Sequence, residues 1–217
     1  MKITCISDTH GLHERIDLDL FPGGDLLIHA GDCTNNGSPR DLFSLNWWFR
    51  KLQKKYTNII LVPGNHDFCF ERNFGLSKAA MTNCIVLFDE AITIDGLKFY
   101  GSPWQPRFFD WAFNVDRGAK IARKWAAIPD DTDVLITHGP PFGIGDVCFQ
   151  PHTQQPQHVG CQDLTARIAE LKNLKLHVCG HVHPGWGKVQ IDGVWYINAS
   201  TCTNKYKPTN LPIGVEL

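Results

Sequence analysis

The sequence predicts an α/β protein with more than one β-sheet. Short β-branched apolar runs alternate with stretches whose apolar residues recur at helical spacing. Two Asp-Gly pairs, Asp95-Gly96 and Asp192-Gly193, each separate two strand-like runs; such pairs close tight antiparallel hairpins. The hairpins argue against a purely parallel, doubly wound sheet.

Residues 2–7, 25–30 and 58–62 are β-branched apolar runs and read as strands. Between the last two, Ser38 is placed to cap a helix, Pro39 suits its first turn and Asp41 completes a capping-box pattern. Leu42, Leu45, Trp48, Phe49 and Leu52 then form one apolar stripe, so a helix is expected to run to residue 55. Hairpins are expected at residues 92–100 and 188–197, helices at 117–127 and 162–171, and strands at 134–136 and 174–179. Residues 139–160 read as a long loop rich in Pro, Gln and His, a length at which loops usually carry function.

The 217-residue length suits one large domain or two small ones, and one unit over residues 1–217 is expected. A net charge of −1 argues against long nucleic acid, whose binding needs a basic face, but leaves room for a small phosphorylated ligand. No apolar run approaches a bilayer span, and Met1 leads straight into residues 2–6 without a signal-like apolar segment. A cytoplasmic protein with no membrane contact is expected. None of the eight Cys forms a CxxC pair, which fits reduced thiols rather than a disulfide framework.

Five blocks share one grammar, a strand followed by a tight loop of metal-capable side chains. They are Asp8-Thr9-His10, Gly31-Asp32, Gly64-Asn65-His66-Asp67, His138-Gly139-Pro140-Pro141 and Gly180-His181-Val182-His183. Carboxylates and imidazoles suit Mn, Fe, Zn or Ni, and the lack of Cys in the blocks argues against a structural thiolate zinc site. A lone DxH or HxH is more often a turn than a site. Five in order, each directly after a strand, point to loops that converge at one sheet edge. A carboxylate there can bridge two ions, and such a pair can clamp a phosphoryl group.

These blocks resemble the signature of the calcineurin-like metallophosphoesterases. Ile28-His29-Ala30-Gly31-Asp32, Gly101-Ser102-Pro103-Trp104-Gln105-Pro106, Asp110-Trp111-Ala112-Phe113-Asn114 and Asn198-Ala199-Ser200 are further similar to its metallophosphoesterase-domain-containing branch. The resemblance implies a four-layer αββα sandwich with two mixed β-sheets and a dinuclear metal site at the sheet edge. It implies one ion bound by Asp8, His10, Asp32 and His183, and another by Asp32, Asn65, His138 and His181, with Asp32 bridging. His66 would contact the substrate phosphate and serve the leaving oxygen, oriented by Asp67, while a metal-bridging hydroxide attacks phosphorus in line. Manganese is the metal expected in vitro. The implied activity is a phosphodiesterase on small phosphodiesters, with cyclic nucleotides the leading class. A phosphomonoesterase or nucleotidase, or a catalytically silent binding scaffold, are the alternatives on the same site. The protein-phosphatase extension GDxxDRG is absent, because Asp32 is followed by Cys33-Thr34-Asn35-Asn36-Gly37 and Asp67 by Phe68.

Several residues carry two readings. His29 either orients a ligand or is a hydrogen-bonded core histidine. Trp186, Phe142 and Trp104 either wall the pocket, Trp186 stacking on a nucleobase, or simply pack. His177 reads as structural, and His13, His152 and His158 as solvated loop residues.

Overall fold

The computed structural model describes residues 1–149, 152–153 and 155–217. Two mixed sheets lie face to face. One orders its strands Ile213–Glu216, Lys2–Ile6, Gly24–His29, Tyr56–Leu61 and Ile85–Val86. The other runs Gly187–Ile191, Val194–Asn198, Leu176–Cys179, Val134–Thr137, Leu97–Ser102 and Glu90–Ile94. The central strands of both are parallel, and antiparallel pairing is confined to the C-terminal strand and the two hairpins.

The two-residue period of a strand explains the layering. Ile3, Cys5, Leu26, Ile28, Ile60 and Val62 meet Phe99, Val134, Ile136, Leu176 and Val178 in a core between the sheets. Their neighbours Ile6, Leu27, Ile59 and Leu61 point the other way, onto Leu42, Leu45, Trp48, Phe49 and Leu52 of the Pro39–Leu52 helix. On the far side, Tyr100 and Leu135 pack against Ile121 and Trp125 of the Ala119–Trp125 helix and Leu164 and Ile168 of the Gln162–Glu170 helix. The result is the four-layer αββα sandwich. Among the described residues, no helix is long and apolar enough to cross a membrane.

The local signals hold where they are strongest. Ser38 Oγ accepts from the Asp41 N–H and the Asp41 carboxylate from the Ser38 N–H, each at 3.1 Å. Asp95 and Gly96 take φ of +49° and +81°, and Asp192 and Gly193 take +50° and +84°, as tight hairpin turns require. Elsewhere the structure corrects the reading. The long loop holds a short antiparallel ribbon, Val147–Phe149 against Pro156–His158; its residues 150, 151 and 154 lie outside the described residues. Two short helices, Phe68–Arg72 and Phe74–Ala80, and the Ile213–Glu216 strand had no clear signal. His13 is buried against the Trp48 ring and pairs with Ser44 Oγ at 2.9 Å, because the first loop folds onto the helix rather than into solvent. His158 is exposed, as expected, although its Nδ1 meets the buried Asp146 carboxylate at 2.7 Å.

Candidate metal centre

Parallel strands bring their following loops to one edge. After Lys2–Ile6, the Asp8 N–H donates to Gly31 O and the His10 N–H to Asp32 O, lacing the first two blocks together. His29 completes this seam from the core, with Nδ1 accepting from the Gly31 N–H and Nε2 pairing with Thr9 Oγ1. Its two readings therefore resolve: it ties the loops that carry the ligand candidates without touching their side chains. The second sheet joins through the Thr201 N–H to Ser7 O and through His138, whose Nδ1 donates to Ala30 O at 2.9 Å.

The loops are tight enough to force unusual backbone. Asp8, His10, Asp32 and His181 adopt φ of +52°, +45°, +52° and +66°. Each such residue costs on the order of 1–3 kcal/mol and persists only where its surroundings dictate it. Gly64 leaves the space that lets Asp32 and His138 approach: a Cβ there would strike Asp32 N, Asp32 Oδ1 and the His138 ring. At Gly180 a Cβ would strike the Asp8 carboxylate and Ser7 Oγ.

Three groups of donors result, Asp8–His10–His183, His10–Asp32–His66 and Asp32–His138–His181, with the ligand atoms of each group within 4.8 Å of one another. Asp32 belongs to two of them, and its oxygens face opposite ways: Oδ2 lies 3.9 Å from His10 Nε2 and Oδ1 3.3 Å from His138 Nε2. The chemistry of the donors fits cations. Carbonyl oxygens only accept, so His138 holds its proton on Nδ1 toward Ala30 O and His183 on Nδ1 toward Thr203 O. Their Nε2 atoms are left to present lone pairs inward. His183 Nε2 there meets His10 Nε2 at 3.1 Å, and His138 Nε2 meets Asn65 Oδ1 at 2.9 Å. At these distances a proton or a cation lies between each pair, and a bound metal ion would take the proton's place.

Electrostatics agree. Burial alone would raise the Asp8 and Asp32 carboxyls, but the imidazoles facing them outweigh it and hold both below the usual carboxylate range. Burial alone would lower His138, yet the Asp32 carboxylate beside it takes it up to about 9. Burial pushes His10 and His181 down to about 4 each. The carboxylates, His10 and His181 are thus in their ligating forms, whereas His138 and His183, both raised by the carboxylates beside them, would give up a proton to a bound cation.

Two further residues, not named as site residues from the sequence, set Asp8. The Ser200 hydroxyl donates to Asp8 Oδ2 at 2.9 Å, beside the His181 N–H on the same oxygen, and Asn198 holds Ser200 in place. That accounts for the Asn198-Ala199-Ser200 motif.

The third block departs from expectation. The Asp67 carboxylate does not reach the His66 ring. It is fully buried and accepts from the Gly64 N–H, the Thr34 N–H and hydroxyl, and the Cys33 N–H and thiol. Asp67 therefore braces the turn beneath His66. The His66 ring instead pairs through Nδ1 with Asn35 O at 2.9 Å, and the His66 backbone N–H donates to Asp32 Oδ1 at 2.7 Å.

A cleft of about 470 Å³ opens over these groups, with Asn65, His66, His181 and His183 in its floor and Phe108, Phe149 and Tyr206 in its walls. Phe142 and Trp186 are not among its lining residues. Phe142 packs on His158, and the Trp186 indole N–H donates to Leu211 O at 3.3 Å. Trp104 packs between two cores and donates to Asp89, which settles it as structural. His177 is buried and pairs with Thr137 Oγ1.

Comparison with known proteins follows the same lines. The family model described as calcineurin-like phosphoesterase matches residues 1–185. Human metallophosphoesterase domain-containing protein 1 is 38% identical over 239 residues, covering 100% of this chain and 71% of that protein. A 3',5'-cyclic-nucleotide phosphodiesterase of Nostoc sp. is 24% identical over 221 residues, covering 92% of this chain and 71% of that one. Among solved structures, the phosphopantetheinyl hydrolase of Mycobacterium tuberculosis superposes with a TM-score of 0.62 at 16% identity, over 99% of this chain and 95% of that chain, which shows a shared fold. By its motifs, its sandwich and these matches, the chain belongs to the calcineurin-like phosphoesterase family.

Proposed function

We propose that this chain is a dinuclear-metal phosphodiesterase acting on small phosphodiesters, cyclic nucleotides foremost. The observation that carries the reading is Asp32, whose two oxygens face two separate clusters of acceptor side chains. One cation would be held by Asp8, His10, Asp32 and His183, the other by Asp32, Asn65, His138 and His181. When bound, such a pair stabilises charge on phosphoryl oxygens and lowers the pKa of a shared water. Manganese is the metal we propose for the enzyme in vitro.

The chain's own groups do the rest. Ala30 O and Thr203 O fix which nitrogens of His138 and His183 face inward. Asn35 O accepts from the His66 Nδ1–H and leaves Nε2 toward the site, 4.0 Å from Asp32 Oδ2. In the doubly protonated ring the Nε2–H is placed to donate to the departing oxygen. Phe108, Phe149 and Tyr206 offer flat apolar surface suited to a nucleobase. The name of the Nostoc relative supports the same substrate class. We also propose one unit over residues 1–217 in the cytoplasm, a reducing compartment that suits its eight free cysteines.

Manganese-loaded protein should hydrolyse bis-p-nitrophenyl phosphate and leave p-nitrophenyl phosphate nearly untouched. The reverse preference would make it a monoesterase. No turnover of either substrate, with metal bound, would make it a binding scaffold.

A further inference from the structure

We propose that Trp111 is the positioning residue for His66, in the place that the sequence suggests for Asp67. The inference rests on the proton-donor reading of His66. With the Asp67 carboxylate engaged by Gly64, Cys33 and Thr34, a single side-chain hydrogen bond among the described residues, to Asn35 O, holds the His66 ring. One such bond leaves the ring free to swing about it. Trp111 removes that freedom: its ring lies 4.0 Å from the His66 ring, centroid to centroid, tilted by 33°. His10 also meets the ring, edge-on at 4.6 Å.

The indole is not there as core. Its neighbours Ala112 and Phe113 are fully buried in the helix-side core, whereas Trp111 belongs to none of the three cores. Its ring contacts are His66 and Phe68. The segment is also pinned to the block it braces. The Ala112 N–H donates to Asn65 O at 3.1 Å and the Phe113 N–H to Glu71 Oε1 at 2.7 Å. Trp111 therefore moves with the loop that carries His66, and the Asp110-Trp111-Ala112-Phe113-Asn114 motif becomes a clamp on that loop.

The test uses the full, manganese-loaded chain and two aryl methyl phosphodiesters, one with a good leaving group and one with a poor one. Proton donation matters more as the leaving oxygen grows more basic. Trp111→Leu should lower kcat by about 10-fold or more on the poor leaving group and by less than about 3-fold on the good one, with KM little changed. Trp111→Phe should recover most of the loss. In a His66→Ala background Trp111→Leu should cost nothing further, because the two act through one group. Equal losses on both substrates, or a further loss in the His66→Ala background, would overturn the inference while leaving His66 as donor. A His66→Ala variant whose loss ignores the leaving group would overturn the donor reading itself, and this inference with it. Metal content is measured for each variant. If Trp111→Leu loses metal, Trp111→Met, an unbranched flexible chain without the flat ring, is read by the same criteria.

Discussion

Replacing Ser200 with Ala tests how the fold prepares a ligand without touching the cleft. The hydroxyl donates to Asp8 Oδ2 at 2.9 Å, both residues are fully buried, and the His181 N–H donates to the same carboxylate. A hydrogen bond to a buried charged group contributes about 1.5–3 kcal/mol. In metal-free protein the loss should lower stability by roughly 2 kcal/mol, about 4–8 °C in melting temperature for a chain of this size. Residues that orient ligands typically govern about 10–100-fold in metal affinity. The manganese concentration that half-restores activity to stripped protein should therefore rise by about that factor, while kcat at saturating metal stays near wild type. The assay is a manganese titration of activity beside a thermal melt of stripped protein. A titration midpoint within about twofold of wild type, in a variant that folds, would show that Ser200 does not prepare Asp8.

Asp32→Asn should be the most damaging ligand change, abolishing turnover and reducing bound manganese below two per chain by elemental analysis; retention of two ions with activity would refute the bridging role. Asp67→Asn places an amide among five donors, so it should lower stability by about 2 kcal/mol or more, read as an early melt. Because Asp67 does not touch the His66 ring, the surviving activity of that variant should keep the wild-type leaving-group dependence. Gly64→Ala forces a Cβ into Asp32 and His138, and it should prevent metal loading even where the chain folds, as calorimetric titration would show. For pH, burial pushes His177 from its ordinary 6.5 down to about 3. Between those values the unfolded chain takes a proton that the folded chain refuses, so stability falls as pH drops through this window, by up to about 1.4 kcal/mol per pH unit. His177→Gln cannot titrate, and its urea stability should decline correspondingly less from pH 6.5 to 4.5; an unchanged slope would contradict the burial argument.

Local pattern made an α/β chain with more than one sheet and the convergence of the five blocks legible, while the four-layer sandwich followed from the family resemblance that those blocks carry. Alternating strand faces sort Ile28 from Leu27, and strand-then-loop grammar puts Asp32 and His138 at one edge whatever the loops do in detail. Side-chain partnerships are another matter. His66 and Asp67 adjoin in sequence, yet neighbouring side chains on a tight turn point apart, and Asp67 was claimed by the donors of Cys33 and Thr34 from a different loop. Trp111 and Ser200 reach the site only through tertiary packing, from positions far along the chain, so no spacing rule finds them. The C-terminal strand escaped notice because Pro212 and Gly214 interrupt its apolar pattern. Of the two readings of Trp186, which follows the fifth block closely, the structure favours packing: a short helical turn at His183–Gly185 intervenes and the indole N–H donates to Leu211 O.

The central claim is that Asp32 stands between two cations. Anomalous diffraction from crystals grown with manganese tests it most directly. Two peaks should flank the Asp32 carboxylate, one among Asp8, His10 and His183 and the other among Asn65, His138 and His181. A single peak on one side, or none near Asp32, would contradict the account.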